Sequence, residues 1–467
     1  MLVTRRRFLA RTGVATATLV GSSLLTPRWL FAAPPYLRRD VGLLPASGSV
    51  LSSYAKAIEL MKGLPDTNPL SWTYQAAIHG SLTGSGIAWN TCEHGTDFFF
   101  SWHRMYLWYF ERIVRKMSGN ANWALPFWNY EKVAESALPK PFWSPPKPTN
   151  WLYESNRGLG WNDGTASLAP SAVATAGADG YTGFHEFSDH LEDTPHAAVH
   201  IAIQGLMGKI TTAANDPIFW LHHANIDRLW NRWLAMGGGR SDPVTDSAWK
   251  TKKFTFFNED GKQVELTGCD ILRAKDQLQY SYQGEPPQVK EYCLNVPRIP
   301  HWVIERLFKL PIPPVIGPGP DPAPWEIDIR EFRDRLSTMS RGEDPGLILE
   351  LSNIEADRQP DVYYEVYVGL PAGETPLFES PHYVGNLALF GRGIRGEPAH
   401  GEFRPASATF RIDKALRATF AATKAADRLR VQFVARGAAQ RGKAVPARGS
   451  ATIKIGGAAI GVRRQEK

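Results

Sequence analysis

Nine of the twelve histidines in this 467-residue chain precede residue 224, and six of them fall into two spaced groups. His79, His94 and His103 form the first; His196, His200 and His223 form the second. Neutral imidazole is a good ligand for copper, zinc or iron. His196 and His200 stand four apart, the spacing that brings two side chains to one side of a helix. His222 and His223 are adjacent, so they project in different directions and at most one is expected to bind metal directly. Asn225 and Asp227, just beyond, can orient ligand rings from behind. A lone histidine is better read as an ordinary core or surface residue, but two triplets with helix-compatible spacing argue for metal. His185 and His190 are expected in a loop, where either could replace His196 if the helix register differs. His301, His382 and His400 have no partners and are expected at the surface.

The stretch Cys92–Glu111 shows what must position such ligands. Cys92 precedes His94 by two residues, and His103 opens a run whose Met105, Leu107, Trp108, Phe110 and Ile113 cover one broad helical side. Taken alone, this stretch suits a zinc site, a haem pocket or plain core. Helices are also expected over 50–62 and over 72–80, the latter carrying His79. Pro195 opens another, with His196 and His200 on it. A further helix follows Asp216-Pro217 and runs to about Trp233, closed by Gly237–Gly239. The helix of His103 ends near Gly119. Ligands on helices that pack together are how bundles hold metals. Residues 139–183 are rich in Pro, Gly, Ala and Ser and read as irregular loops, and 254–282 reads as short strands.

Beyond residue 285 the pattern changes. Residues 286–335 read as a linker, stiffest across the proline-rich Pro311–Trp325. Residues 347–353, 362–369, 408–413 and 430–437 alternate apolar and polar, interrupted by one helical stretch over 414–426. That pattern predicts an antiparallel β-sandwich over 336–467. The expected architecture is therefore a mainly α catalytic domain over 34–285, built as a four-helix bundle around its metals, followed by an all-β domain.

Composition narrows the function classes. Net charge is +7, and charged and hydrophobic residues make up 21% and 43%, an ordinary globular balance. The basic residues form no aromatic-interleaved stripe, which argues against nucleic acid. Three cysteines cannot build a disulfide framework; Cys269 and Cys293 either pair or stand as separate thiols, and Cys92 is left over. Residues 1–33 carry Thr4-Arg5-Arg6-Arg7-Phe8-Leu9 and a mild apolar run, the pattern of a twin-arginine export signal. That run is too short and polar for a membrane span. The expected location is periplasmic or secreted.

On these motifs the chain resembles the type-3 copper proteins, the superfamily of tyrosinase, catechol oxidase (polyphenol oxidase) and haemocyanin. The likeness rests on His94 with Trp102-His103-Arg104-Met105-Tyr106-Leu107, on Leu125-Pro126-Phe127-Trp128-Asn129, on Asp216-Pro217-Ile218-Phe219 through His222-His223-Ala224-Asn225-Ile226-Asp227-Arg228-Leu229-Trp230, and on Tyr280-Ser281-Tyr282. It implies a first copper on His79, His94 and His103 and a second on His196, His200 and His223, with His222 behind them. It implies a Cys92–His94 thioether that locks the ring of His94, and oxidation of o-diphenols to o-quinones by O₂. Glu192 matches a glutamate that holds a water near the coppers and acts through it as base; a carboxylate favoured by a helix N-terminus is the equal alternative. Relatives active on monophenols often carry asparagine where this chain has Ala197, and Ile201 follows His200. Diphenol oxidation is therefore expected ahead of monophenol hydroxylation. Ile210 is a gate residue by analogy. The tail resembles the domain that shields plant polyphenol oxidases, with Pro311–Trp325 as its hinge. Oxygen carriage without turnover and o-aminophenol oxidation are the alternatives. The expected partners are a small phenolic substrate and a copper chaperone; the oligomeric state is left open.

Overall fold

The helices that carry histidine start and stop where their caps dictate. A computed structural model describes residues 36–80, 91–285, 293, 302–319, 321–342, 346–395, 405–423, 426–437, 439–440 and 449–465. The expected export signal, His301 and His400 lie outside them. Helices α1 (Ser49–Lys62) and α2 (Trp72–His79) come first. Ser71 caps α2 by accepting from the backbone N–H of Tyr74 at 3.1 Å. Helix α3 (Phe99–Ser118) is closed by Gly119, whose left-handed φ of 74° favours a residue without Cβ. A single turn, α4 (Ala176–Asp179), precedes α5 (Phe184–Leu191). The chain continues through a π turn, Glu192–Ala197, into α6 (Ala198–Ile203). Helix α7 (Pro217–Ala235) has Pro217 at its first position and Asp216 as its cap. Asp216 is held in turn by a buried two-pronged contact from Arg157, 2.7 Å at each nitrogen. Nearly every side chain of α7 is buried, so the helix runs through the centre of the core rather than along its edge.

One expectation about these helices needs correction. Pro195 opens a helical run as expected: Thr194 before it is extended (φ −144°, ψ 118°) and ends the run that begins at Phe184, and the chain is helical again from Pro195 into α6, with proline at the position where its missing N–H costs nothing. His185 and His190 sit on α5, not in a loop.

Strand β3 (Phe254–Phe257) packs on α3 and pairs with β4 (Gln263–Leu266), and helix α8 (Ser247–Thr251) packs on the turn Gly268–Asp270. Two early strands, β1 (Tyr36–Arg38) and β2 (Ala166–Ser167), are short; β1 runs parallel to β5 (Tyr280–Tyr282). Cys269 and Cys293 are joined in a disulfide. Among the described residues, no helix is long and apolar enough to cross a membrane.

The C-terminal half is two four-stranded antiparallel sheets. One has the order β10 (Tyr383–Leu387), β9 (Tyr363–Val368), β12 (Arg428–Arg436), β7 (Trp325–Asp328). The other has β11 (Ala406–Arg411), β8 (Leu347–Ala356), β14 (Ile453–Gln465), β6 (Trp302–Lys309). Helices α9 (Arg333–Ser340) and α10 (Asp413–Ala422) pack on each other beside them, and β13 (Ala439–Gln440) crosses over to pair with β2. The expected linker over 286–335 is thus largely part of the sandwich. Strands β6 and β7 are edge strands of the two sheets. The proline run between them is stitched down where Ile316 bridges Ile453 and Leu310 donates to Ala458. Among the described residues the prolines themselves stay outside the strands, and the run is held to the sheet through its non-proline residues, Leu310, Ile316 and Gly319.

Candidate metal centre

The two histidine groups meet in the middle of the helical layer. Ring nitrogens of His79, His94 and His103 lie within 4.8 Å of one another, and so do those of His196, His200, His222 and His223. Rings of the two groups touch: His103 stacks on His223 at 4.5 Å between centroids, and His94 on His196 at 5.3 Å. All these rings are deeply buried.

Backbone carbonyls aim the rings. Nδ1 of His79 bonds the carbonyl of Ile210 (3.0 Å), His103 that of Phe99 (2.7 Å), His196 that of Glu192 (3.1 Å) and His200 that of Met207 (2.9 Å). A carbonyl only accepts, so each Nδ1 carries the proton and each Nε2 keeps a lone pair. Nε2 of His200 lies 3.3 Å from Nε2 of His223, and the buried Nε2 of His196 has no hydrogen-bond partner. Buried polar atoms are normally paired, and lone pairs converging on one point are the arrangement a cation satisfies. Burial, with the neighbouring rings, holds His196 and His223 well below the ordinary imidazole range, and burial does the same for His200. They are neutral, the form that binds metal. The donor set fits two imidazole-bound ions of the copper type.

Glu192 is the carboxyl inside the cluster, grouped with His94 and His196. It bonds Nδ1 of His94 at 3.0 Å and accepts the Gly95 N–H at 2.9 Å. Burial pushes its carboxyl up to about 8, although Arg392 and the Gly95 N–H oppose this. His222 also turns its ring into the second group, with Nδ1 against the Tyr130 hydroxyl at 3.1 Å. Neighbouring helical residues diverge at Cα, but their side-chain torsions bring the two rings to 5.1 Å.

Asp227 does not orient a ring. It accepts from Arg104 Nε and from the Tyr280 and Tyr282 hydroxyls, each at 2.6 Å, and from Arg38 at 3.3 Å. Burial raises its carboxyl, but Arg104 and Arg38 outweigh this and hold it below the usual range. It locks α3, α7, β1 and β5 together behind the site. Asn225 accepts from Arg228 Nε at 2.8 Å. Cys92 is buried. Ala197 ends the π turn and Ile201 lies in α6, both buried. His185 pairs with Asp97 at 2.8 Å. His382, expected at the surface, is buried and bonds the Val368 carbonyl at 2.9 Å.

The residue that sequence reasoning did not find is Phe390, in the tail after β10. Its ring lies flat on His200, 4.1 Å between centroids and 9° from parallel, and edge-on to His94 and His196 at 5.9 and 5.7 Å. Gly391 follows with φ 69°; a Cβ there would come within 2.6 Å of Ile210 Cδ1. Ile210 therefore both aims His79 and walls this loop. Arg392 pairs with Asp189 at 2.6 Å and with Asp193. Further tail contacts fall on the same kinked helix: Arg463 to Glu186 (3.0 Å), Thr409 to His190 (3.0 Å) and Asn386 to Thr194 (3.1 Å). The only sequence signal for the plug was an apolar run, Leu387–Phe390, ending in Gly-Arg-Gly.

Comparison with known proteins agrees with this site. The family model described as the common central domain of tyrosinase matches residues 69–166 and 156–236, a polyphenol oxidase middle domain matches 243–291, and a domain of unknown function matches 329–446. Tyrosinase HcTyr1 of Hahella sp. (strain CCB-MM4) is 39% identical over 47% of this chain and 58% of its own length. The chloroplastic polyphenol oxidase of Malus domestica is 29% identical over 68% of this chain and 63% of its own. The chain thus spans less than two thirds of either relative. The solved structure of latent apple tyrosinase superposes with a TM-score of 0.60 at 24% identity, covering 91% of this chain and 96% of that one. That likeness includes the helical layer and the sheets behind it.

Proposed function

The chain belongs to the tyrosinase and polyphenol oxidase family of type-3 copper proteins, and from that premise we propose that it oxidises o-diphenols to o-quinones with O₂. The coppers would be held by His79, His94 and His103 and by His196, His200 and His223. The observation that carries this reading is the convergence of carbonyl-aimed Nε2 lone pairs in two touching groups. Bound copper supplies the one-electron chemistry that couples a diphenol to O₂. The chain supplies the rest. Phe219, within 4.8 Å of His79 and 4.3 Å of His223, and the buried aromatics around it keep water out. A phenol ring can lie on His200 where Phe390 now lies. Glu192 is the carboxyl beside both groups and would take the proton that leaves the phenol, directly or through a water.

Diphenol oxidation is favoured over monophenol hydroxylation because Ala197 offers no amide to help Glu192 polarise a water; the partners of Glu192 are Gly95 N–H and His94. Phe390 and its loop make the tail a shield over the site. Cys92 and His94 would be joined by a thioether, seen as the loss of two hydrogens in a peptide map of the copper-loaded protein. Residues 1–33 would direct export by the twin-arginine route, which a reporter fusion tests in strains with and without that translocase.

The test of the activity is oxygen uptake on 4-methylcatechol and on tyramine by the copper-loaded chain with the shield opened. Turnover of the catechol ahead of the monophenol is expected. Two coppers and an oxygen-dependent absorbance band without turnover would point to oxygen carriage instead.

A further inference from the structure

Resting on that reading of the site, we propose that Asp189 and Asp193 select positively charged substrates, namely phenols and catechols whose ring bears a short aminoalkyl chain. The recess is filled by the chain's own Phe390-Gly391-Arg392, which presents two chemical features together. The Phe390 ring lies on His200 as a substrate ring would. Two residues on, the Arg392 guanidinium bonds Asp189 and Asp193. Gly391 between them lies against Ile210 and His94, so ring and cation are seated in one continuous recess. Asp193 is three residues before His196, which puts the anionic wall at the edge of the metal cluster.

The side chains of Arg392 and Asp193 are only 8% and 10% exposed. Charges this far out of water need a partner. When the loop lifts, the ring position empties and the two carboxylates lose their cation together. An aromatic amine restores both contacts. An aryl carboxylate would bring its own negative charge to a wall that already holds Asp189 and Asp193, the latter pushed up to about 7 by burial even against the pull of Arg392. Of the other charged groups near this wall, Glu186 is paired with Arg463, His190 bonds Thr409, His185, which also feels Asp189, is paired with Asp97, and Glu192 lies within reach of Arg392.

The test uses the full, copper-loaded chain carrying Phe390→Ala and Arg392→Ala, at neutral pH and low salt. The quantities read are kcat/KM for dopamine and for 3,4-dihydroxyphenylacetate, each divided by that for 4-methylcatechol. The amine ratio should exceed the acid ratio by about tenfold or more, as a charge-assisted contact implies. The gap should shrink with added salt and close when Asp189→Asn and Asp193→Asn are added. Equal ratios that ignore salt would overturn the inference, whether or not the asparagine variants fold. Calorimetric binding of phenethylamine against phenylacetate to the same chain reads the recess without turnover. If 4-methylcatechol is not oxidised, the proposed activity fails; if phenylacetate binds as well as phenethylamine, the selectivity fails.

Discussion

Replacing Phe390 with alanine should release the site. The ring is fully buried, and burying a phenylalanine side chain is worth about 1.5–3 kcal/mol. Its stack on His200 adds about 0.5–1.5 kcal/mol beyond area. Together roughly 2–4 kcal/mol is lost from the docked tail alone, because in the undocked state the ring is in water in any case. At about 1.4 kcal/mol per tenfold, the open-to-closed ratio should rise by roughly thirty-fold to several hundredfold. The contacts of Arg392, Arg463, Asn386 and Thr409 remain, so the tail stays tethered over the helix rather than leaving. The assay is oxygen uptake on 4-methylcatechol by the full chain, with copper measured in the same sample. A rise of at least about tenfold in kcat/KM is expected as long as the unaltered chain is mostly closed. Phe390→Leu, which keeps most of the apolar fill, should give a much smaller rise. Activity within about twofold of the unaltered chain at equal copper, below the smallest release worked out above, would refute the plug.

Other outcomes follow from the same contacts. His200→Ala should lower bound copper from two to about one per chain by metal analysis, since it removes one of the three imidazoles proposed to hold the second copper; unchanged stoichiometry would reassign that group. Asp227→Ala takes the carboxylate from the buried Arg104, while Arg38 keeps Glu111, and should cost about 3–5 kcal/mol, seen as a large fall in Tm; a small fall would mean that the hub is not structural. His190 gives a pH dependence. Burial holds its docked imidazole down at about 4, against about 6.5 when free. Its share of docking is full above about pH 6.5 and is lost as pH falls towards 4. Asp189 opposes this shift, while Arg392, Arg463 and Arg411 reinforce it. Catechol oxidation, corrected by the Phe390→Ala profile, should rise over that window, and His190→Gln should flatten the rise. Gly391→Ala should also open the site, because its φ of 69° strains any residue with a Cβ and that Cβ would push the end of Ile210 aside; unchanged latency would contradict the loop geometry.

What the sequence determined by itself is what spacing and local chemistry can carry. Four-residue separation put His196 and His200 on one helical side, Asp216-Pro217 and Gly119 marked an end of two ligand-bearing helices, and alternation marked strands over 347–353, 362–369, 408–413 and 430–437. Each of these is a contest among residues within a few positions of each other, where backbone geometry decides. Tertiary structure decided the rest, because the partners lie far apart in the chain and have no periodicity. The atoms that aim His79 and His200 are carbonyls of Ile210 and Met207, and a carbonyl carries no residue signature. The partners of Asp227 come from residues 38, 104, 280 and 282, brought together only by packing. The residues on either side of a proline-rich stretch became two sheet edges because other strands were there to pair with them. Phe390 reached His200 across 190 residues, because once the sandwich docks on the kinked helix its Gly-flanked loop is the segment that fits the recess.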